Sequence, residues 1–233
     1  MRGIYLVAGY PDENRFMESF RAVDRAGFDF VEIGIPFNDP IADGPVIARA
    51  IHEALAGGAT PGNVMKNIRS LHDSGIKKYA MTYANVIYAM GPEKFSDEMA
   101  GVLSGVIVPD LPNRMARRFY DSGLRIPVVP FATLETRETD IDLINGSESE
   151  ILYFVGVRGI TGSAGNLDSP ELLDKIKILK AYTSKKIIIG FGIKTKNDAD
   201  RALEIGDGFV VGTEAVRRQK NTGELKDYLR SLL

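Results

Sequence analysis

The chain contains no cysteine and no tryptophan among its 233 residues, and only two histidines, His52 and His72. Without cysteine there can be no disulfide, no thiolate nucleophile and no thiolate metal ligand. The two histidines are scattered in helical segments, so no transition-metal constellation is expected. An excess of either charge is also missing. The 29 basic residues nearly balance 31 acidic ones, for a formal net charge of −2, which favours neither nucleic acid nor an anionic membrane as a partner. No apolar stretch approaches the ~20 residues of a membrane-spanning helix. The brief apolar run after Arg2 is stopped by Gly9-Tyr10-Pro11, so no signal peptide is visible and a cytoplasmic location is expected. No proline- or serine-rich linker divides the chain, which implies one domain over 1–233. Lysine is absent from inward strand positions: Lys77, Lys78, Lys185 and Lys186 precede their strands. A Schiff base is therefore not on offer.

What is present is alternation. Apolar, β-rich runs fall near 4–8, 29–35, 78–83, 104–109, 126–131, 150–155, 186–190 and 208–211. Helical spacing lies between them, as in Phe16, Phe20, Val23 and Ala26 before Gly27, or in Val64, Ile68 and Leu71. Strands that are apolar throughout, each followed by a helix, predict a parallel sheet covered on its outer face. Eight such units in a chain of this length favour a closed (β/α)8 TIM barrel, whose active site would lie at the carboxyl ends of its strands.

The segment Val31-Glu-Ile-Gly-Ile-Pro-Phe-Asn-Asp-Pro-Ile-Ala-Asp-Gly44 carries the chemistry. Glu32 interrupts a buried strand, and a carboxylate there is costly to desolvate unless it has a partner or a task. Asp39 and Asp43 follow on a loop stiffened by Pro36 and Pro40. One account is structural: a buried acid tied to backbone amides, with two loop aspartates forming Asx turns. The other is a two-carboxylate active site. Later, glycine-bearing turns follow three consecutive strands, at Gly159-Ile-Thr-Gly162, Gly190-Phe-Gly-Ile193 and Gly212-Thr-Glu-Ala215. Glycine lets backbone N–H groups approach an anion closely, and barrels often build a phosphate site from their last loops.

The Val31–Gly44 segment closely resembles the signature of the tryptophan synthase alpha subunit. Gly9-Tyr-Pro11, Tyr83-Ala-Asn85, Pro109-Asp-Leu-Pro112 and the three glycine turns match the same family in order and spacing. The resemblance implies retro-aldol cleavage of indole-3-glycerol phosphate to indole and glyceraldehyde 3-phosphate. It implies Glu32 and Asp43 as the catalytic acids, and Tyr5, Tyr83, Tyr153 and Phe191 lining the indole pocket. Thr161 would sit on a loop closing over substrate, and Gly162, Gly192, Gly212 and Thr213 would hold the phosphate. Pro36, Asp39, Pro40, Asn85 and Asp110 would face a beta subunit in an alpha-beta-beta-alpha heterotetramer. No cofactor is implied for this chain, since pyridoxal phosphate belongs to the beta subunit. Where many family members carry an extra helix before strand one, this sequence starts almost at the strand. Asn38 and Thr213 stand where serine is common. Two other readings remain open from residues alone: another sugar-phosphate barrel enzyme, and a non-catalytic subunit that keeps the fold for its partner.

Overall fold

The computed structural model describes residues 1–156 and 166–233. Eight strands run in parallel: β1 (Arg2–Val7), β2 (Phe30–Gly34), β3 (Lys77–Met81), β4 (Gly105–Ile107), β5 (Phe131–Thr133), β6 (Ile151–Val155), β7 (Lys186–Ile189) and β8 (Gly208–Val211). Their order, β4-β3-β2-β1-β8-β7-β6-β5, leaves β4 and β5 at the two ends. The ends meet through a parallel bridge between Val106 and Val128, which closes the barrel.

The fifth strand lies later than its apolar run suggests, at 131–133 and not 126–131. Pro127 and Pro130 have no N–H to give to a ladder. Both still serve as acceptors in the wall: Pro127 O receives Val106 N–H at 2.8 Å, and Pro130 O receives Tyr153 N–H at 2.9 Å. Continuous strand pairing begins only once the prolines are passed.

Residues of period two split the core into two clusters. Ile4, Leu6, Val31, Ile33, Ile187 and Ile189 face outward and bury Phe16, Phe20 and Val23 of the Glu13–Ala26 helix. Tyr5, Val7, Phe30, Tyr79, Ile107, Tyr153, Ile188 and Val210 fill the barrel. That helix starts where Asp12 accepts Arg15 N–H and ends at Gly27, whose φ of 83° suits glycine. Large inward rings are matched by missing Cβ atoms. A Cβ on Gly3 would stand 2.1 Å from the Phe30 ring, and one on Gly190 would stand 2.0 Å from the Tyr153 ring.

At the amino-terminal end of the barrel, Phe30 and Tyr79 pack edge to face with centroids 5.7 Å apart. The Tyr79 hydroxyl donates to Glu150 at 2.9 Å, and Lys77 pairs with the same carboxylate. Lys77 and Lys78 are the first residues of β3, and Lys78 is buried with its ammonium on the carbonyls of Ser74 and Ile76. These lysines thus stand at the end opposite the cavity described next.

Candidate active site

Glu32 sits in register with Tyr5 of β1 and Tyr79 of β3, so all three point into the barrel. It is 1% exposed, and its Oε1 has no hydrogen-bond partner among the described residues. The structural alternative, a carboxylate tied to backbone amides, is therefore not what is found. Burial pushes the Glu32 carboxyl up to about 8, while a hydrogen bond from Tyr153 holds it down. A group poised there can give and take a proton near neutral pH.

The loop after β2 turns back on itself, with Asp43 N–H on Pro40 O at 3.0 Å, and a helix then starts at Pro45 (Pro45–Ala56). Ile47, Ala50, Ile51 and Ala54 of that helix pack onto the interior cluster and fix Asp43 at the barrel mouth. The Tyr83 hydroxyl donates to Asp43 Oδ2 at 2.7 Å and accepts Ala42 N–H at 3.0 Å. Burial raises the Asp43 carboxyl, and the Tyr83 hydroxyl opposes that rise by favouring the ionised form.

Glu32 and Asp43 both line one cavity of about 410 Å3 at the carboxyl ends of the strands. Tyr5, Tyr153, Phe191 and Phe131 supply its aromatic wall. Gly192, Gly212 and Thr213, from the turns after β7 and β8, line the same cavity with Lys194, Glu214 and Arg217. Gly212 precedes the short Thr213–Arg218 helix and offers no side chain to cap it, which leaves backbone N–H groups for another acceptor. One cavity thus brings together two buried acids, aromatic rings, glycine turns and two cations with Glu214 beside them.

Tyr83 departs from expectation. It does not line the cavity but stands behind Asp43, buried, with its ring 5.3 Å from that of Phe37. Thr161 and Gly162 lie outside the described residues. The sequence reading passed over Met81, Phe131, Lys194 and Arg217, all of which line the cavity. Phe131 could have been found by carrying the inward alternation past Pro130, and Lys194 by its place two residues after Gly192. His52 and His72 are exposed and outside the cavity.

Residues 4–231 match the family described as Tryptophan synthase alpha chain. The chain belongs to that family. A tryptophan synthase alpha chain from Staphylococcus haemolyticus is 34% identical over 223 residues, covering 93% of this chain and 91% of the relative. One from Thermotoga petrophila is 34% identical over 216 residues, with 91% and 87% covered. Among solved structures, the alpha subunit from Campylobacter jejuni superposes with a TM-score of 0.87 at 27% identity, covering 100% of this chain and 95% of that one. A structure from Aquifex aeolicus VF5 gives 0.88 at 31% identity, with 99% and 91% covered.

As a tryptophan synthase alpha chain the protein is a lyase of tryptophan biosynthesis that cleaves indole-3-glycerol phosphate. The alpha chain family works without a cofactor of its own, pyridoxal phosphate belonging to the beta subunit. This membership removes the sugar-phosphate barrel and the non-catalytic subunit as readings. Of the residues expected at a subunit contact, Asp39, Asn85 and Asp110 are exposed and Pro40 is half-buried. Pro36 is buried, so it braces the loop from within and presents no surface. Asp110 also accepts Ala84 N–H at 2.9 Å, tying the loop after β4 to the helix that starts at Ala84.

Proposed function

We propose that Glu32 and Asp43 carry out the cleavage as a pair with divided roles. The observation that supports this is the buried Glu32 Oε1, without a partner among the described residues, in a carboxyl raised to about 8. Glu32 starts protonated and gives its proton to C3 of the indole. The ring nitrogen's electron pair moves into the ring, and positive charge develops at that nitrogen. Asp43, as carboxylate, accepts the indole N–H and offsets this charge. The Glu32 carboxylate then takes the proton of the side-chain hydroxyl next to C3. The carbon–carbon bond breaks, its electrons return to the ring, and indole and glyceraldehyde 3-phosphate leave with Glu32 protonated again.

Tyr5, Tyr153 and Phe191 would hold the indole, while Gly192, Gly212 and Thr213 would hold the phosphate through backbone N–H groups. Tyr83 acts on the reaction through Asp43. The whole 233-residue chain would work as one barrel domain in the cytoplasm. A beta subunit would dock over the mouth, against Asp39, Pro40, Asn85 and Asp110, beside Ile41, which is 64% exposed. A tryptophan synthase structure from Mycobacterium tuberculosis, 24% identical with a TM-score of 0.88, shares the fold. Indole release from indole-3-glycerol phosphate, compared between wild type and Glu32→Gln, tests the assignment. Wild-type release with little left in the variant is expected. A variant with more than about a tenth of wild-type turnover would remove Glu32 from this role.

A further inference from the structure

Lys194 belongs to the turn that follows β7, two residues beyond Gly192, and it lines the cavity at the end formed by the turns after β7 and β8. Its backbone is pinned on both sides. Its N–H donates to Asp198 Oδ2 at 3.0 Å, and its carbonyl accepts the Tyr228 hydroxyl at 2.9 Å. The same Asp198 oxygen also takes the N–H and hydroxyl of Thr195, at 2.8 and 2.9 Å. Asp198 is thereby committed to capping the Lys196–Ile205 helix; the Lys194 charge helps, as a minor cause, to hold its carboxyl down, but no ion pair joins the two side chains among the described residues.

Arg217, the other cation lining this end, is differently placed. It already pairs with Glu214 at 3.1 Å, and Glu214 also holds Arg218 at 2.6 Å. Its charge is thus answered only in part, because one carboxylate serves two guanidiniums, and its position is held by that pairing. A phosphate monoester carries nearly two negative charges at neutral pH, and backbone N–H groups supply only partial positive charge to meet them. Glu214 lines the cavity here as well, but its carboxylate is engaged by the two arginines.

We infer that Lys194 is a substrate-binding residue: its ammonium neutralises the phosphate of the ligand held by Gly192, Gly212 and Thr213, and sets which end of the substrate enters this end of the cavity. The inference rests on the reading of the site above. It adds a side-chain cation to a phosphate site otherwise built from backbone. Because the phosphate does not change charge during carbon–carbon cleavage, this contact binds ground state and transition state alike. Its loss should therefore act mainly on KM.

The test is Lys194→Met, which keeps the length of the stem and removes the charge. KM for indole-3-glycerol phosphate should rise roughly five- to tenfold with a much smaller change in kcat, as for one partly exposed charge-assisted contact. Inhibition by inorganic phosphate should weaken in parallel, while binding of indole, which is neutral, should not move. Lys194→Arg should restore most of the affinity. Raising ionic strength should weaken phosphate inhibition of wild type more than of the methionine variant. Equal KM and equal phosphate inhibition in wild type and Lys194→Met would overturn the inference while leaving the lyase assignment intact. A parallel loss of indole binding would also overturn it, by showing a merely structural role. Wild type without indole release would overturn the reading of the site itself.

Discussion

At the scale of single residues, the decisive contrast is between two carboxyls with different surroundings. Glu32 is buried among rings with one oxygen unpartnered among the described residues, whereas Asp43 receives a hydroxyl from Tyr83. Glu32→Gln keeps the shape and loses the proton, so indole release should fall by about 10² to 10⁴, the usual worth of a positioned acid–base group. The same residue should govern stability against pH. The fold holds the carboxyl protonated up to about 8, while an unfolded chain releases that proton near 4.5. Between those values the native state binds more protons than the unfolded state, so stability falls as pH rises through the window. Glu32→Gln should remove this decline, gaining on the order of 5 kcal/mol relative to wild type above pH 8. Denaturant midpoints from pH 4 to 9 would show it; parallel curves for the two proteins would contradict the buried neutral acid. Tyr83→Phe leaves the cavity wall unchanged but frees Asp43 to rise further. It should therefore lower kcat mainly at the acidic end of the pH–rate profile, and a uniform loss at all pH values would argue against Asp43 acting as a carboxylate. Glu32 was visible in the sequence because an acid in a buried strand violates its pattern. The Tyr83 partnership was not, since it joins loops 40 residues apart.

At the scale of elements, spacing predicted the helices and proline chemistry corrected a strand. Gly27 marks the end of the first helix in the sequence as it does in the fold, and the structure adds Asp12 as its cap. The fifth strand was misplaced because an apolar run containing Pro127 and Pro130 satisfies periodicity without supplying donors. The Pro45–Ala56 helix matters most for the site, as it holds Asp43 against the barrel mouth. Gly34, the last residue of β2, tests how tightly that mouth is built. A Cβ there would meet the Tyr5 hydroxyl at 2.1 Å, so Gly34→Ala must push Tyr5 into the cavity or bend β2. The expected cost is about 1–3 kcal/mol of stability together with a higher KM, measured by chemical denaturation and steady-state kinetics. An unchanged melting curve would mean that the ring moves freely at this position.

At the scale of the whole molecule, acids, rings and cations that line one cavity suit a substrate with an aromatic and an anionic part. Indole, once released, is small and apolar, so a covered route to a second active site would keep it from escaping. A beta subunit that favours the reactive form of this chain must in turn be bound more tightly by it. Slow indole release by the isolated chain and clear acceleration by the beta subunit are expected when the two are mixed. Unchanged turnover at concentrations where a complex forms would rule out the coupling, and absence of any complex would rule out the partner.

The sequence alone determined the class of fold and the positions of most elements, and it singled out Glu32; the choice of Asp43 as its partner came from the family resemblance. The elements follow from local periods, and Glu32 stands out as a charge placed where burial penalises it. Only the tertiary structure decided that β4 and β5 close through Val106 and Val128, that Tyr83 serves Asp43, and that Lys194 and Arg217 share a cavity with Glu32. Each of these depends on closing the sheet into a ring. Closure brings distant loops to one rim and sets their distances and dielectric surroundings, which no local pattern along the chain encodes.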